Sequence, residues 1–211
     1  MLTQMLLAVV VPAGLMVTVP APNRMAKDIR LEVAPAGNEA RYRVREQLAG
    51  FDLPNDAIGR SSGVSGAIVL DEQGRVVPAQ SRIVVNVAEL RSDRDRRDGY
   101  VRRAILKSDS FPTATLTPSA IRGLPWPLPA SGQASLTLAG DLTVKGVTRP
   151  TTWNVTANFV GDTISGAATT AFTFADFGLD QPRVPIVLSV GDTIRLEYDF
   201  RLVRTPASSS P

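Results

Sequence analysis

An unbroken alternation of apolar and polar residues runs through GDTIRLEYDFRLVR, residues 191 to 204. Side chains alternate between the two faces of a β-strand with a period of two, which differs from the 3.6-residue period of an α-helix. The segment is therefore predicted to be a long strand with one buried and one solvated face. Its apolar positions fall on one face: Ile194, Leu196, Tyr198, Phe200 and Leu202.

The same alternation occurs twice in GDLTVKGVTRPTTWNVTANF, residues 140 to 159, and is interrupted at Lys145-Gly146. A glycine turn between two alternating segments is typical of an antiparallel hairpin. One face of this hairpin is lined by threonine and asparagine. The other face is apolar and is therefore expected to be buried, against either a packed core or a ligand. The apolar face contains Leu142 and Val144 on the first arm and Trp153, Val155 and Phe159 on the second.

Segments with this alternation recur between residues 28 and 204, and turns separate most of them. We count roughly eight or nine, which predicts an all-β domain. Both a sandwich and a closed barrel would accommodate this number. Long strands in which every second side chain is apolar favour an antiparallel up-and-down barrel, because closure removes exposed edges.

One helix is predicted between the strands, in the segment 92 to 106. Ser92 can cap it together with Asp95, and Tyr100, Val101, Ala104 and Ile105 form an apolar stripe at helical spacing. Residues 91 to 107 hold seven basic and three acidic residues, a net charge of +4, so the rest of the chain is close to neutral within a total of +3. Either these arginines are simply solvated, or they contact an anionic head group or an anionic membrane surface. The head-group candidates are Arg97, Arg102 and Arg103.

The composition excludes several kinds of site. The 211 residues include no cysteine and no histidine, so disulfides, thiol nucleophiles, sulfur or imidazole zinc sites and imidazole-based triads are excluded. Basic residues concentrated in one segment do not make the broad basic face of a nucleic-acid-binding protein. We expect no metal, no cofactor and no nucleic-acid partner, and the sequence does not give the oligomeric state.

The first residues contain an apolar run from Met5 to about Val19. A run of this length is short for a membrane span and typical of a secretory signal. We therefore expect residues 1 to 25 to be a signal peptide or an uncleaved anchor, and the protein to be periplasmic or extracellular. Residues 26 to 204 are expected to form the barrel domain, and residues 205 to 211 a flexible tail.

Four segments together resemble the YceI-like family of lipocalin-like, polyisoprenoid-binding exported proteins. They are RRDGYVRRAILKSDSFPTATL, GDLTVKGVTRP, FTFADFGLD and GDTIRLEYDF, and the resemblance extends over about residues 38 to 203. This resemblance implies an extended eight-stranded antiparallel barrel with one flanking helix. It also implies a long apolar tunnel that takes an isoprenoid chain, such as that of a quinone or a polyprenyl lipid.

Large residues on the apolar strand faces are either core filling or the wall of such a tunnel. The small residues Gly166, Ala168 and Thr170 precede Phe172 in the same phase and favour unfilled volume there. The proline-rich segment around Trp126 is either a stiff surface loop or a lid at the tunnel mouth. The predicted ligand-binding residues are Trp153, Val155, Phe159, Leu142, Val144, Phe172, Phe174, Tyr198, Phe200, Tyr100 and Trp126.

The sequence thus favours a non-catalytic protein that binds or carries an isoprenoid-type lipid. One alternative is a structural or interaction module held at the membrane by residues 5 to 19. The other is an enzyme acting on a lipid or a sugar through carboxylates such as Asp176 and Asp180. For the enzyme, neither carboxylate has a supporting third group in the sequence.

Overall fold

The computed structural model describes residues 28 to 50 and 52 to 206, and within these the chain forms ten β-strands and one short α-helix. The helix α1 (Asp95–Tyr100) continues directly into a π-helical stretch, Val101–Leu106. The expected signal or anchor, residues 1 to 25, lies outside the described residues. The strands are β1 (Ile29–Val33), β2 (Glu39–Leu48), β3 (Asn55–Ser61), β4 (Val64–Leu70), β5 (Arg82–Asn86), β6 (Thr113–Arg122), β7 (Ser131–Val144), β8 (Val147–Val160), β9 (Thr163–Thr173) and β10 (Val187–Pro206).

The ten strands occupy eight positions around one closed antiparallel barrel. Strand β10, 20 residues long, pairs on one side with β9 and on the other with β2 and then β1. Strands β1 and β2 therefore share one position as an interrupted strand, and β4 and β3, which pair with them, share the next position. Each position is beside the one that precedes it in sequence, and β10 closes the barrel by pairing with β1 and β2. The predicted up-and-down barrel with a flanking helix is confirmed.

The up-and-down order gives the barrel two different ends. The β2–β3, β7–β8 and β9–β10 connections lie at one end together with α1, and we call this the mouth end. The β4–β5, β6–β7 and β8–β9 connections lie at the other, which we call the sealed end. The start of β1 pairs with the end of β10, Ile29 opposite Pro206, so both described chain termini also lie at the sealed end. Strand β10 thereby extends into the segment for which the sequence predicted a tail.

Side chains fill the sealed end of the barrel. Leu70 is fully buried and, with Val76 and Leu128, belongs to the hydrophobic core. Arg204 on β10 donates from Nη2 to the carbonyl oxygens of Leu128 (3.5 Å) and Pro129 (3.3 Å). These bonds tie the β6–β7 connection across the end of the barrel.

The outward positions of β2 and β10 carry a ladder of ion pairs. Arg41 donates to Glu197 (3.2 Å) and Asp199 (2.6 Å), and Arg43 donates to Glu197 (2.9 Å) and Asp56 (3.0 Å). The hydrogen bond from Arg43, supported by the one from Arg41, holds the pKa of the Glu197 carboxyl below its usual range. The ladder joins β10, β2 and β3 on the face opposite the core.

The segment 50 to 62 is rich in turn-forming residues, but it contains strand β3. Glycine, asparagine and aspartate are poor strand formers, but Gly59 stands directly opposite Tyr42 in the β2–β3 register. A Cβ atom at Gly59 would lie 2.1 Å from Cε1 of the Tyr42 ring. The glycine is needed to make room for this ring, and cross-strand pairing overrides the local preference.

The helix also differs from the prediction in two respects. Ser92 donates from both N (2.8 Å) and Oγ (2.5 Å) to Oδ1 of Asp98, rather than forming a cap with Asp95. Ile105 and Leu106 are buried whereas Ala104 is exposed. A π-helical turn has i→i+5 hydrogen bonds and so shifts the phase of the side chains, which moves the buried stripe by one residue at its end.

Candidate ligand-binding cavity

The barrel encloses a cavity of about 780 Å³ that is lined almost entirely by apolar side chains. This volume lies within the range of pockets that hold small-molecule ligands, roughly 300–1,000 Å³. An eight-stranded barrel is just wide enough either to pack its own side chains or to hold one such ligand. In this chain the barrel is packed at the sealed end and hollow along the rest of its length.

The hollow extends toward the mouth end and reaches the surface there. Arg94 and Arg96 at the start of the helical segment and Ile186 just before β10 line the cavity, and Ile186 is 56% exposed. At the opposite limit the cavity reaches Leu31, Ile68 and Leu124 of the β6–β7 connection, whereas the buried Leu70 and Leu128 do not line it. Within the described residues, the geometry is that of a deep apolar well that opens at the mouth end.

The hairpin predicted at residues 140 to 159 forms one wall of this well. Strands β7 and β8 pair along their whole length, with Leu138 opposite Trp153 and Leu136 opposite Val155. All the ligand-binding residues predicted from the sequence, with one exception, line the cavity, although their contact with a ligand stays a prediction. They are Leu142, Val144, Trp153, Val155, Phe159, Phe172, Phe174, Tyr198, Phe200 and Tyr100.

The exception is Trp126, where the structure has the stiff loop of the two alternatives and not a lid at the mouth. It lies in the β6–β7 connection at the sealed end, where its ring stands over Gly74. Its Nε1 donates to the carbonyl oxygen of Glu72 across 3.1 Å. The stiff loop holds the β4–β5 connection, and Trp126 is absent from the described residues that line the cavity.

The small residues on β9 contribute to the cavity unequally. Ala168 is buried and lines the well. Gly166 instead allows close packing, since a Cβ there would lie 1.9 Å from the Thr156 carbonyl oxygen and 2.9 Å from Cζ of Phe200. The volume that the sequence attributed to Gly166 is thus occupied by a neighbouring strand and by an aromatic ring.

The polar atoms of two lining aromatic residues are bonded within the protein. Trp153 donates from Nε1 to Oγ1 of Thr151 (3.0 Å), and Tyr198 donates from its hydroxyl to Oδ1 of Asn38 (2.7 Å). The buried Asn38 also accepts from the Arg201 amide, which bridges the break between β1 and β2. Burial raises the pKa of the Tyr198 hydroxyl. Both side chains therefore offer an apolar surface to a ligand without leaving a polar group unpaired.

A charged pair lies in the cavity wall near the mouth. Glu46 occupies an inward position of β2, in phase with Tyr42 and Val44, and is 7% exposed. Its Oε1 accepts a 2.5 Å hydrogen bond from Nη2 of Arg97 on α1, and Arg97 also pairs with Asp93. Burial of Tyr42 beside this pair raises the pKa of its hydroxyl to about 12. Sequence reasoning missed Glu46, although a carboxylate in an apolar phase was a visible signal.

The three arginines predicted as head-group contacts separate in the structure. Arg97 turns inward and lines the cavity, so the outward basic face predicted for the helix lacks it. Arg102 donates to the carbonyl oxygen of Ala88 (3.4 Å), and the exposed Arg103 lies against Gly99. Neither Arg102 nor Arg103 is among the described residues of the cavity wall. No helix in the part of the chain that the structure describes has both the length and the apolar character to cross a membrane.

Solved structures share this barrel at low sequence identity. A polyisoprenoid-binding domain of Saccharophagus degradans, implicated in plant cell wall breakdown, superposes with a TM-score of 0.61 at 10% identity, over 84% of this chain and 98% of that one. Burkholderia cenocepacia BcnA gives 0.56 at 19% identity, over 80% and 98% of the two chains. A Campylobacter jejuni YceI protein gives 0.55 at 17%, over 77% and 91%. At these identities the likeness establishes the fold.

Sequence comparison extends this likeness to a family. A UPF0312 protein of Vibrio vulnificus is 32% identical over 104 residues, which cover 49% of this chain and 50% of the relative. A UPF0312 protein of Shewanella baltica is 29% identical over 129 residues, 58% of this chain and 63% of the relative. The chain thus spans about half to two thirds of the length of the curated relatives it matches. The model of the YceI-like domain matches residues 31 to 202, and the chain therefore belongs to the YceI-like family.

Proposed function

We propose that this protein binds a long apolar lipid of the isoprenoid type, a quinone or a polyprenyl lipid, and carries it without acting on it chemically. The observation that carries the proposal is the apolar well of about 780 Å³, sealed at one end and open at the other. A chain-like ligand fits this shape, because its tail can lie along the barrel while its head stays near the mouth. Family membership and the polyisoprenoid-binding domain of Saccharophagus degradans support a binding role.

The physical basis of binding would be removal of apolar surface from water. Each Å² of apolar surface buried contributes about 25 cal/mol, and the well offers apolar partners on nearly every side. Directional contacts are concentrated at Arg97, Glu46 and the Tyr42 hydroxyl near the mouth. The tail would therefore supply most of the affinity, and this polar group would contact the head.

Contact with an anionic membrane surface is a further part of the proposal. The exposed Arg96 and Arg103 and the half-buried Arg102 remain on the outer side of the helical segment. Attraction of such side chains to anionic lipids falls within a Debye length of the surface. Export to the periplasm or the extracellular space, with residues 1 to 25 as signal or anchor, also belongs to this proposal.

Extraction of the natively purified protein tests the central claim. Organic solvent should release an isoprenoid lipid detectable by mass spectrometry, reproducibly and in proportion to the amount of protein. The stripped protein should then bind an added isoprenoid quinone saturably, with a rise in melting temperature, because a ligand of the native state stabilises it by mass action. Absence of lipid in the extract together with no stabilisation by quinones of several chain lengths contradicts the proposal.

The carboxylate-enzyme alternative receives no support from the positions of its candidate residues. Asp176 accepts from the amide and hydroxyl of Thr173 (2.7 and 2.8 Å), and these bonds hold its pKa below the usual range. A carboxyl with a lowered pKa is a poor general acid at neutral pH. Lys145, in the β7–β8 turn, donates from Nζ to the Gly178 carbonyl oxygen (3.1 Å). These groups stabilise turns at the mouth end.

A further inference from the structure

Large apolar side chains that remain exposed are concentrated at the mouth end. Among the described residues, those exposed at this end are Leu53, Phe111, Ile186 and Leu188, whereas Val160 is exposed at the sealed end. Leu53, Ile186 and Leu188 are 76%, 56% and 65% exposed. An apolar group of this kind beside an opening marks an interaction site more often than a chance surface composition.

Three of these residues lie on two chain segments that are joined at the mouth end, and we call them the lip: Leu53, Ile186 and Leu188. Leu53 lies in the connection that follows β2. This connection is joined to the segment before β10 by the amide of Ala49, which donates to the carbonyl oxygen of Ile186 (2.9 Å). Strand β10 is bulged between Val187 and Ser189. Val187 lines the cavity and the next residue, Leu188, points to solvent, so the rim has apolar side chains on both its inner and its outer side.

The lip is continuous with the wall of the well, because Ile186 is exposed and also lines the cavity. An apolar chain could therefore pass from the lip into the well along Ile186, beside the charged side chains that line the mouth on the side of the helical segment. Exposed charged residues close to the lip in sequence include the basic Arg183 and the acidic Asp52 and Asp180, so the lip has no basic excess beside it. The lip consequently fits a partner that is itself apolar and fluid beneath a polar surface, which describes a lipid bilayer.

We propose that the mouth end docks on a lipid bilayer by inserting the lip, so that the well opens directly onto the acyl region. This goes beyond the proposed function, because docking requires no bound ligand and depends on residues outside the polar group of the cavity. It also differs from attraction through the basic helical segment, because insertion of Leu53 and Leu188 is driven by withdrawal of apolar surface from water. It therefore persists on uncharged vesicles and at high salt.

The chain contains no cysteine, so a single introduced cysteine reports on one place only. In the full chain, L188C and, as the matched control, V160C are labelled with a polarity-sensitive fluorophore. Phosphatidylcholine vesicles should shift the emission of the label at position 188 to the blue and leave the label at position 160 unchanged, at both 0.1 M and 1 M salt. This reading is local, and it is therefore separate from any vesicle binding by residues 5 to 19.

The double variant L53S/L188S completes the test. It should lower the partition constant onto phosphatidylcholine vesicles by about tenfold or more, whereas V160S should not change it. Binding of a detergent-solubilised isoprenoid quinone should be kept in the double variant, which separates docking from ligand binding. An equal response of the labels at both ends, or no response at position 188, overturns the proposal. A blue shift at position 188 that grows with protein concentration without vesicles assigns the lip to a second copy of the chain and also overturns it.

Discussion

Nη2 of Arg97 on the helix α1 donates to Oε1 of Glu46 on the strand β2 across 2.5 Å, and the two side chains are only 12% and 8% exposed. The pair joins the helix to the barrel wall at the mouth of an otherwise apolar well. A buried charge is tolerated when it is paired and hydrogen-bonded. The pair thus fixes the position of the helical segment relative to the opening.

Substitution of Glu46 by Gln should destabilise the fold by about 1 to 3 kcal/mol, because the buried Arg97 then keeps only its pair with the exposed Asp93. Urea unfolding measures this. The matched control is R45Q, one residue away on the outward side, whose partner Asp56 is 3.3 Å distant and whose loss should cost less than about 1 kcal/mol. The double variant E46M/R97M should recover most of the loss, and equal effects of E46Q and R45Q would contradict a buried pair.

The neighbouring residues Ala168 and Ala167 provide a matched test of the well. Ala168 is buried and lines the cavity, whereas Ala167 is exposed on the outside of β9. A168F should fill part of the well and reduce quinone binding strongly while the barrel still folds. A167F, whose added ring lies outside the barrel, should bind the quinone with the same affinity as the native protein. Titration of both variants with one isoprenoid quinone measures this, and equal affinities would place the ligand outside the barrel.

Trp153 should report directly on a ligand in the well. In the W126F variant the remaining indole is Trp153, which lines the cavity, and an isoprenoid quinone should quench its fluorescence saturably. The native state should gain about 2.7 kcal/mol when free ligand is a hundred times its dissociation constant. In the complementary variant W153F, Trp126 at the sealed end should be quenched far less. Quenching of the two indoles to the same extent would indicate collisional contact with free quinone.

The ion-pair ladder on the outer face should make stability depend on acid. The pKa of Glu197 is lowered in the folded state, chiefly by its hydrogen bond from Arg43, so its contribution is complete above the unfolded value of about 4.5. The contribution is lost as the pH falls through the lower folded pKa. Free energies of unfolding between pH 7 and pH 2.5 should therefore fall less steeply in E197Q than in the native protein. E32Q, whose carboxylate lies 4.0 Å from Arg30 on the surface, should keep the native slope.

Gly166 should be intolerant of even the smallest side chain. A Cβ there meets the Thr156 carbonyl oxygen of the paired strand β8 at 1.9 Å, and backbone cannot move aside cheaply. G166A should lower the free energy of unfolding by about 1 to 3 kcal/mol through overpacking. Urea unfolding measures this difference. The adjacent substitution A167S, on the exposed side of the same strand, should be nearly neutral. A neutral G166A would mean that β8 and β9 are not in close contact there.

Period-two alternation was sufficient to predict most of the barrel, because one face of every long strand is buried and the other is solvated. It predicted the hairpin wall and the inward aromatics Trp153, Phe159 and Phe200 for the same reason. It failed at β3, where pairing of Gly59 with Tyr42 compensates for poor local propensity. It also failed at Trp126, since the phase of a strand carries no information on which end of a barrel a loop will occupy.

Two features of the site depend on contacts between distant segments. The inward Glu46 was visible as a charge in an apolar phase, but its partner is 51 residues away on the helix. The sequence assigned Arg97 to the outer face because an amphipathic helix normally turns its charges to solvent. Only the arrangement of α1 over the barrel shows that this arginine closes an ion pair inside.

Asp28 and Pro206, the first and last described residues, both lie at the sealed end, on the side of the barrel opposite the opening. A tag or linker placed before Asp28 or after Pro206 would keep clear of the opening. Immobilised on a sensor chip through a linker at either of these two positions, the protein would present its mouth to the flowing solution. Ligand and vesicle binding could then be compared on one surface in one orientation, without the attachment chemistry obstructing the rim.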